Sequence, residues 1–151
     1  MDKYRAILSD YFSRHDFITN KIAESLGIQR HVLYLLKRNG ELVRIRPGVY
    51  AKGDDNYDRL YEIQLNRHRL VYSHETALHL YFPNLFLLET IHVSVPKGYN
   101  TSHINDDICF HYVKPEDFFD DIEVVNTLHN HPVRVLSLER SLQDILCNKQ
   151  P

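Results

Sequence analysis

Thr19-Asn20-Lys21-Ile22-Ala23-Glu24-Ser25-Leu26-Gly27-Ile28-Gln29-Arg30-His31-Val32-Leu33-Tyr34-Leu35-Leu36-Lys37-Arg38-Asn39-Gly40 is the stretch that decides how the first third of the chain folds. Thr19 offers a hydroxyl to the free N–H groups of a starting helix. Ile18, just before it, is placed to pack as a hydrophobic staple. Ile22, Ala23 and Leu26 make the expected buried face, and Gly27 follows where helices commonly end in a left-handed residue. The next helix, expected from about Gln29 to Asn39, turns Ile28, Val32, Leu35 and Leu36 inward. Its other face carries Arg30, His31, Tyr34, Lys37 and Arg38 at helical spacing. Two helices joined by a tight Gly-containing turn, the second basic and aromatic outside, have the layout of a helix-turn-helix.

Upstream, Tyr4, Ile7, Leu8, Tyr11 and Phe12 recur as the stripe of an amphipathic helix. Downstream, Asn39-Gly40 closes the helix and Glu41 to Arg46 alternates as a strand. Leu42, the ambiguous Val43 and Ile45 lie near the core there, and Arg44 and Arg46 face out. Pro47-Gly48 turns the chain, and Val49-Tyr50-Ala51 returns as a second strand. Residues 1–52 therefore read as a winged helix-turn-helix. A helix fits the major groove of duplex DNA, where Gln29, Arg30, Tyr34 or Arg38 reach base edges or phosphates. Thr19, His31 and Lys37 complete the expected DNA-binding face, with Arg44 and Arg46 of the wing along the backbone or in the minor groove. The competing reading is a protein-docking module with the same residues solvated.

Charge divides the chain in the same place. Residues 1–52 hold ten Lys/Arg against five Asp/Glu, and residues 53–151 hold eight against fifteen, behind a net charge of −2. A basic third on an acidic remainder points to a local polyanion-binding surface, with a boundary at Lys52-Gly53-Asp54-Asp55-Asn56. With 43% hydrophobic and 25% charged residues, 5 Gly and 6 Pro, the chain is neither low-complexity nor collagen-like. No apolar run approaches the ~18 residues of a membrane-spanning helix. The N-terminus does not read as a signal peptide. Cys109 and Cys147 lack the spacing of a zinc ribbon or a disulfide framework. The expected setting is the cytoplasm, with no membrane partner.

The remainder, 57–151, reads as a mixed α+β domain. Helices are expected over about 57 to 67, from a Ser73 cap through His79, and from a Ser137 cap through Leu146 or Cys147. The last of these turns Leu138, Leu142, Ile145 and Leu146 inward. Strands are expected at Thr90 to Val95, Ile108 to Val113, Ile122 to Thr127 and Val133 to Leu136, with a helical turn at Pro115 to Phe119. In the first of these, Ile91, Val93 and Val95 alternate with His92 and Ser94.

The winged helix ending in Pro47-Gly48-Val49-Tyr50, then Tyr72-Ser73-His74-Glu75-Thr76-Ala77-Leu78, Ile91-His92-Val93-Ser94-Val95-Pro96-Lys97-Gly98 and Ser137-Leu138-Glu139-Arg140-Ser141-Leu142-Gln143-Asp144-Ile145-Leu146 resemble, in order, the blocks of the AbiEi antitoxins. The resemblance implies the antitoxin half of a type IV toxin–antitoxin system linked to abortive phage infection. Its winged helix would repress its own operon by binding the double-stranded operator. Its second domain would counteract a nucleotidyltransferase-like toxin, for which direct binding is not required. Two departures stand out. The family's chains often run several tens of residues past the last helix, so 57–151 is expected to be a shortened toxin-neutralising domain. His129-Asn130-His131 also stands where a Gly-containing turn is usual.

Other motifs carry less. His74-Glu75-Thr76-Ala77-Leu78-His79 has one residue too many for a zinc-protease helix, where histidines at i and i+4 share a face. His129-Asn130-His131 matches a nuclease family's name by coincidence. The 10 histidines come without paired Cys or well-spaced carboxylates, so neither a metal nor a cofactor is expected. Arg140 and Asp144 form a helix pair at i, i+4; with Glu139 they are also candidates for toxin recognition. Nothing beside that trio supplies a nucleophile, so no enzyme is expected. The alternatives are a winged-helix regulator whose second domain senses a ligand or dimerises, and a nucleic-acid enzyme that grips substrate with its winged helix.

Overall fold

Phe17, Ile18, Leu33 and Leu36 are almost wholly withdrawn from solvent, and the first part of the chain is built around them. The computed structural model describes residues 2–53, 57–104, 107–118 and 120–148. Asp54 to Asn56 of the expected boundary, and Phe119 at the end of the expected helical turn, lie outside the described residues. The chain divides into two compact units, Met1–Asp58 and Arg59–Pro151, and is α+β in class.

The first unit runs α1 (Asp2–Phe12), β1 (Phe17–Thr19), α2 (Asn20–Ser25), α3 (Arg30–Arg38), β2 (Leu42–Arg46) and β3 (Val49–Lys52). This is the element order expected of a winged helix-turn-helix, with β1 added as a third strand in the antiparallel order β1-β3-β2. Ile18 is more than the expected staple. It is paired with Tyr50 in that sheet and shares the core with Ala23 of α2. Thr19 caps α2 as expected, its hydroxyl accepting from the Ile22 N–H at 3.1 Å. Gly27 has the positive φ of 81° that the turn requires.

Two burial assignments change. Ile22 and Leu26 are 37% exposed, leaving Ala23 as the buried residue of the short α2. In α3 the inward residues are Val32, Leu33 and Leu36, while Leu35 is 40% exposed. Leu33 and Leu35 flank the Val32/Leu36 row on opposite sides, so either completes an amphipathic stripe. Leu33, and not Leu35, joins the buried cluster that also holds Leu8, Leu42 and Tyr50. A register shift between Arg44 and Arg46 against β3 interrupts the expected alternation, leaving Arg44 exposed and Arg46 half-buried.

The second unit runs α4 (Arg59–Gln64), β4 (Val71–Tyr72), α5 (His74–Tyr81), β5 (Ile91–Pro96), β6 (Ile108–Val113), a helical turn at Pro115–Asp117, β7 (Ile122–Asn126), β8 (Pro132–Leu136) and α6 (Leu138–Asn148). Its mixed sheet has the order β6-β5-β4-β8-β7, with β5–β6 and β4–β8 parallel. The two-residue β4 went unrecognised in the sequence because it is too short to show alternation. It pairs with β8 only through Tyr72 and Val135. Gln64 extends that ladder. Its side-chain amide donates to the carbonyls of Arg134 at 2.8 Å and Leu70 at 3.0 Å, and accepts from the Arg134 N–H at 2.8 Å. A buried peptide group left unpaired would be costly, and one glutamine answers for both polar groups of Arg134.

Strand β5 is covered on both faces: Ser94 is as buried as Val93 and Val95, and His92 is half-buried. In α6 the inner positions are Ser141 and Ile145, while Leu142 and Leu146 are 43% and 64% exposed, against the expected apolar face. Ser137 caps α6, its hydroxyl accepting from the Arg140 N–H at 3.2 Å. Ser73 does not cap α5 with its side chain. Its hydroxyl is engaged by Ser94 and His74 instead.

Candidate nucleic-acid interface and histidine cluster

In the first unit the basic side chains of α3 stand clear of the core. Arg30, His31, Tyr34, Lys37 and Arg38 of α3 are all exposed, Tyr34 by 54%. Val32, Leu33 and Leu36 hold the opposite side of the helix in the core, which fixes the direction in which the cations point. Arg30 is steadied by Glu24 of α2 across 3.3 Å, in an exposed pair of small energetic weight. Gln29 is the exposed residue at the N-terminus of α3 and makes no side-chain cap. Thr19 differs from the others: it is half-buried and its hydroxyl is occupied in the cap. At the turn of the β2–β3 hairpin, Gly48 has a φ of 79°. Its carbonyl accepts from the Asn20 N–H at 3.0 Å, tying the hairpin tip to the start of α2.

The second unit gathers polar groups inward. Register pairs His92 with Cys109 and Ser94 with His111 across β5 and β6, and strand alternation puts all four on one face. His92 Nδ1 lies 2.9 Å from His111 Nε2, and Cys109 Sγ lies 3.6 Å from the same His111 nitrogen. His74, at the start of α5, stacks on His111 with ring centroids 3.7 Å apart. His74 has a φ of 55°, a left-handed conformation costly for a residue with a side chain. Its Nδ1 lies 2.8 Å from the Ser73 hydroxyl, which accepts from Ser94 at 2.7 Å. Glu75 Oε2 reaches His92 Nε2 at 3.3 Å.

Burial pushes the His111 imidazole down to about 4, reinforced by His74 and His92, while Glu75 and Asp144 act the other way. His74 is also lowered, chiefly by burial, with Asp144 opposing. Neutral imidazoles offer lone pairs at neutral pH.

A cleft of about 510 Å³ opens beside the cluster, lined by His74, His111, Lys114, Arg140 and Asp144 among others. Arg140 and Asp144 are joined at 3.1 Å and only about a fifth exposed. Of the expected toxin-recognition trio, these two are brought into the cleft wall, whereas Glu139 is exposed and does not line it. Sequence reasoning missed His92, Cys109 and His111. Their one visible signal was Cys109 and His111 two residues apart on a strand; the partner 17 positions earlier comes from register alone. Among the described residues, these three form the grouping whose ligand atoms all lie within 4.8 Å of one another.

The family model described as "Transcriptional regulator, AbiEi antitoxin" matches residues 7–51. That span runs from within α1 to within β3 and contains the whole of α3. Residues 7–51 of the first unit are thus similar to a family of transcriptional regulators described as AbiEi antitoxins. No curated protein matches the chain. No helix among the described residues is long and apolar enough to cross a membrane.

Proposed function

We propose that this chain is a DNA-binding antitoxin of a type IV toxin–antitoxin system, acting in the cytoplasm. It represses its own operon through residues 1–52 and counteracts a nucleotidyltransferase-like toxin through residues 57–151. The observation that carries the reading is the exposed face of α3, with Arg30, His31, Tyr34, Lys37 and Arg38 held outward by a buried apolar side. The match of the surrounding segment to a regulator family supports it. Arg44 extends the cationic surface onto the wing. Gln29, Arg30 and Tyr34 read base edges, while Lys37, Arg38, Arg44 and Arg46 contact the backbone. For contact with about five phosphates, log K against log salt has a slope near −4 to −5, at ~0.9 per contact. A salt-independent affinity, or none for the promoter of its own operon, counts against repression. Toxin neutralisation is assigned to the second unit, with Arg140 and Asp144 as the leading residues and Glu139 as a weaker candidate. Growth rescue on co-expression with the neighbouring gene tests it.

A second reading, a regulator whose second unit senses a ligand, is favoured by the polar cleft beside His74 and His111. A small molecule that weakens promoter binding, with no rescue of any neighbouring toxin, selects that reading.

A further inference from the structure

We propose that the second unit binds one zinc-class divalent transition-metal ion through His92 Nδ1, Cys109 Sγ and His111 Nε2, with a fourth position open to water. Zinc bonds of ~2.0–2.1 Å to nitrogen and ~2.3 Å to sulfur place tetrahedral nitrogen and sulfur ligands ~3.6 Å apart, and two nitrogens ~3.3 Å apart. Cys109 Sγ and His111 Nε2 are 3.6 Å apart. His92 Nδ1 and His111 Nε2 are 2.9 Å apart, so the rings separate slightly to admit the ion. One thiolate with two imidazoles suits zinc and its borderline neighbours and disfavours magnesium and calcium, which take oxygen ligands.

The surroundings support the same assignment. Ligating histidines usually donate their second ring N–H to a carboxylate or carbonyl, and Glu75 Oε2 stands 3.3 Å from His92 Nε2. All three ligands are half-buried on paired strands, which hold their spacing. His74 stacks on His111 and fixes its ring plane. Access comes from two sides. His92 and Glu75 line a groove of about 550 Å³ with residues 85–90, and His111 lines the 510 Å³ cleft. On binding, the Cys109 thiol releases its proton to solvent and the imidazoles bind neutral. Three protein ligands with an open position make a site that can take an exogenous ligand, unlike a closed structural site.

The test uses the full chain, stripped with a chelator and titrated with Co²⁺ as a spectroscopic stand-in for zinc. The expected result is saturation at one equivalent, visible bands of four-coordinate cobalt and a near-ultraviolet thiolate-to-cobalt band, all abolished by added Zn²⁺. Cys147→Ser retains the thiolate band, Cys109→Ser loses it, and Glu75→Gln binds about 10–100-fold more weakly. Lack of saturable uptake, saturation without a thiolate band, or a band that survives in Cys109→Ser overturns the site. Should Cys109→Ser fail to fold by circular dichroism, Cys147→Ser decides: a retained band upholds Cys109 as ligand and a lost band overturns it.

Discussion

The two units use polar side chains in opposite ways. In Met1–Asp58, Arg30, Tyr34 and Arg38 project from a helix whose stability comes from Val32, Leu33 and Leu36 on its other side. Each exposed residue is independent of the core. In Arg59–Pro151, Gln64, Ser73, His74 and Ser94 are themselves among the buried residues, tied to strands by hydrogen bonds. A polar group in water is changed at little cost to folding, whereas one in the interior is coupled to everything it pairs with. The polar face of α3 is therefore separable from the stability of the first unit, whereas the buried polar groups of the second unit are part of its stability.

The second unit is most vulnerable at Gln64. Gln64→Leu leaves the N–H and C=O of Arg134 without their partner, at about 1–3 kcal/mol for each. Urea unfolding of the full chain should show that loss; a change within about 0.5 kcal/mol would mean that water replaces the amide. On the other side, Arg30→Ala or Tyr34→Ala should cost about 1–3 kcal/mol in operator affinity while leaving the unfolding midpoint in place. Equal losses on operator and random DNA would reassign those residues from base edges to phosphates.

The histidines sharpen the contrast through pH. In chelator-treated protein, His74 and His111 are neutral when folded, below the ordinary imidazole value. Well above the ordinary imidazole value of about 6.5, His74 and His111 are deprotonated in folded and unfolded chains alike, and the cluster's contribution is fully present. As pH falls from there towards 4, where His111 titrates, the unfolded chain takes up protons that the folded one refuses, and stability declines. His111→Gln should flatten that decline, as followed by thermal melting across the range. The smallest expected effect is the Arg140–Asp144 pair, for which a double-mutant cycle should return a few tenths of a kcal/mol to about 1. A larger coupling would mark the pair as a structural clamp in the cleft wall.

Legibility followed the range of the interactions. The Thr19 cap, the Gly27 turn and the outer face of α3 were readable because each is settled within one or two helical turns. So were β6 and α6, whose observed spans match the expected ones closely. The choice between Leu33 and Leu35 was not, since helix periodicity allows both and the neighbouring Leu8, Leu42 and Tyr50 select one. Ser73 looks like a helix cap in isolation. The arrival of Ser94 and His74 redirects its hydroxyl. The exposed Leu142 and Leu146 show the converse, an apolar spacing in α6 that the fold leaves uncovered.

The helix-turn-helix, the α+β class and the basic surface of the first third are legible in the chain alone, because caps, turns and amphipathic stripes are short-range properties. That His92, Cys109 and His111 meet, that His74 stacks on His111 and that Arg140 and Asp144 line the adjoining cleft follows from the folded unit and not from any local pattern. The meeting of His92 with Cys109 and His111 depends on strand order and on the parallel register of β5 with β6, which no local signal in the chain sets. A one-residue slip of β6 against β5 would send Cys109 and His111 to the face opposite His92.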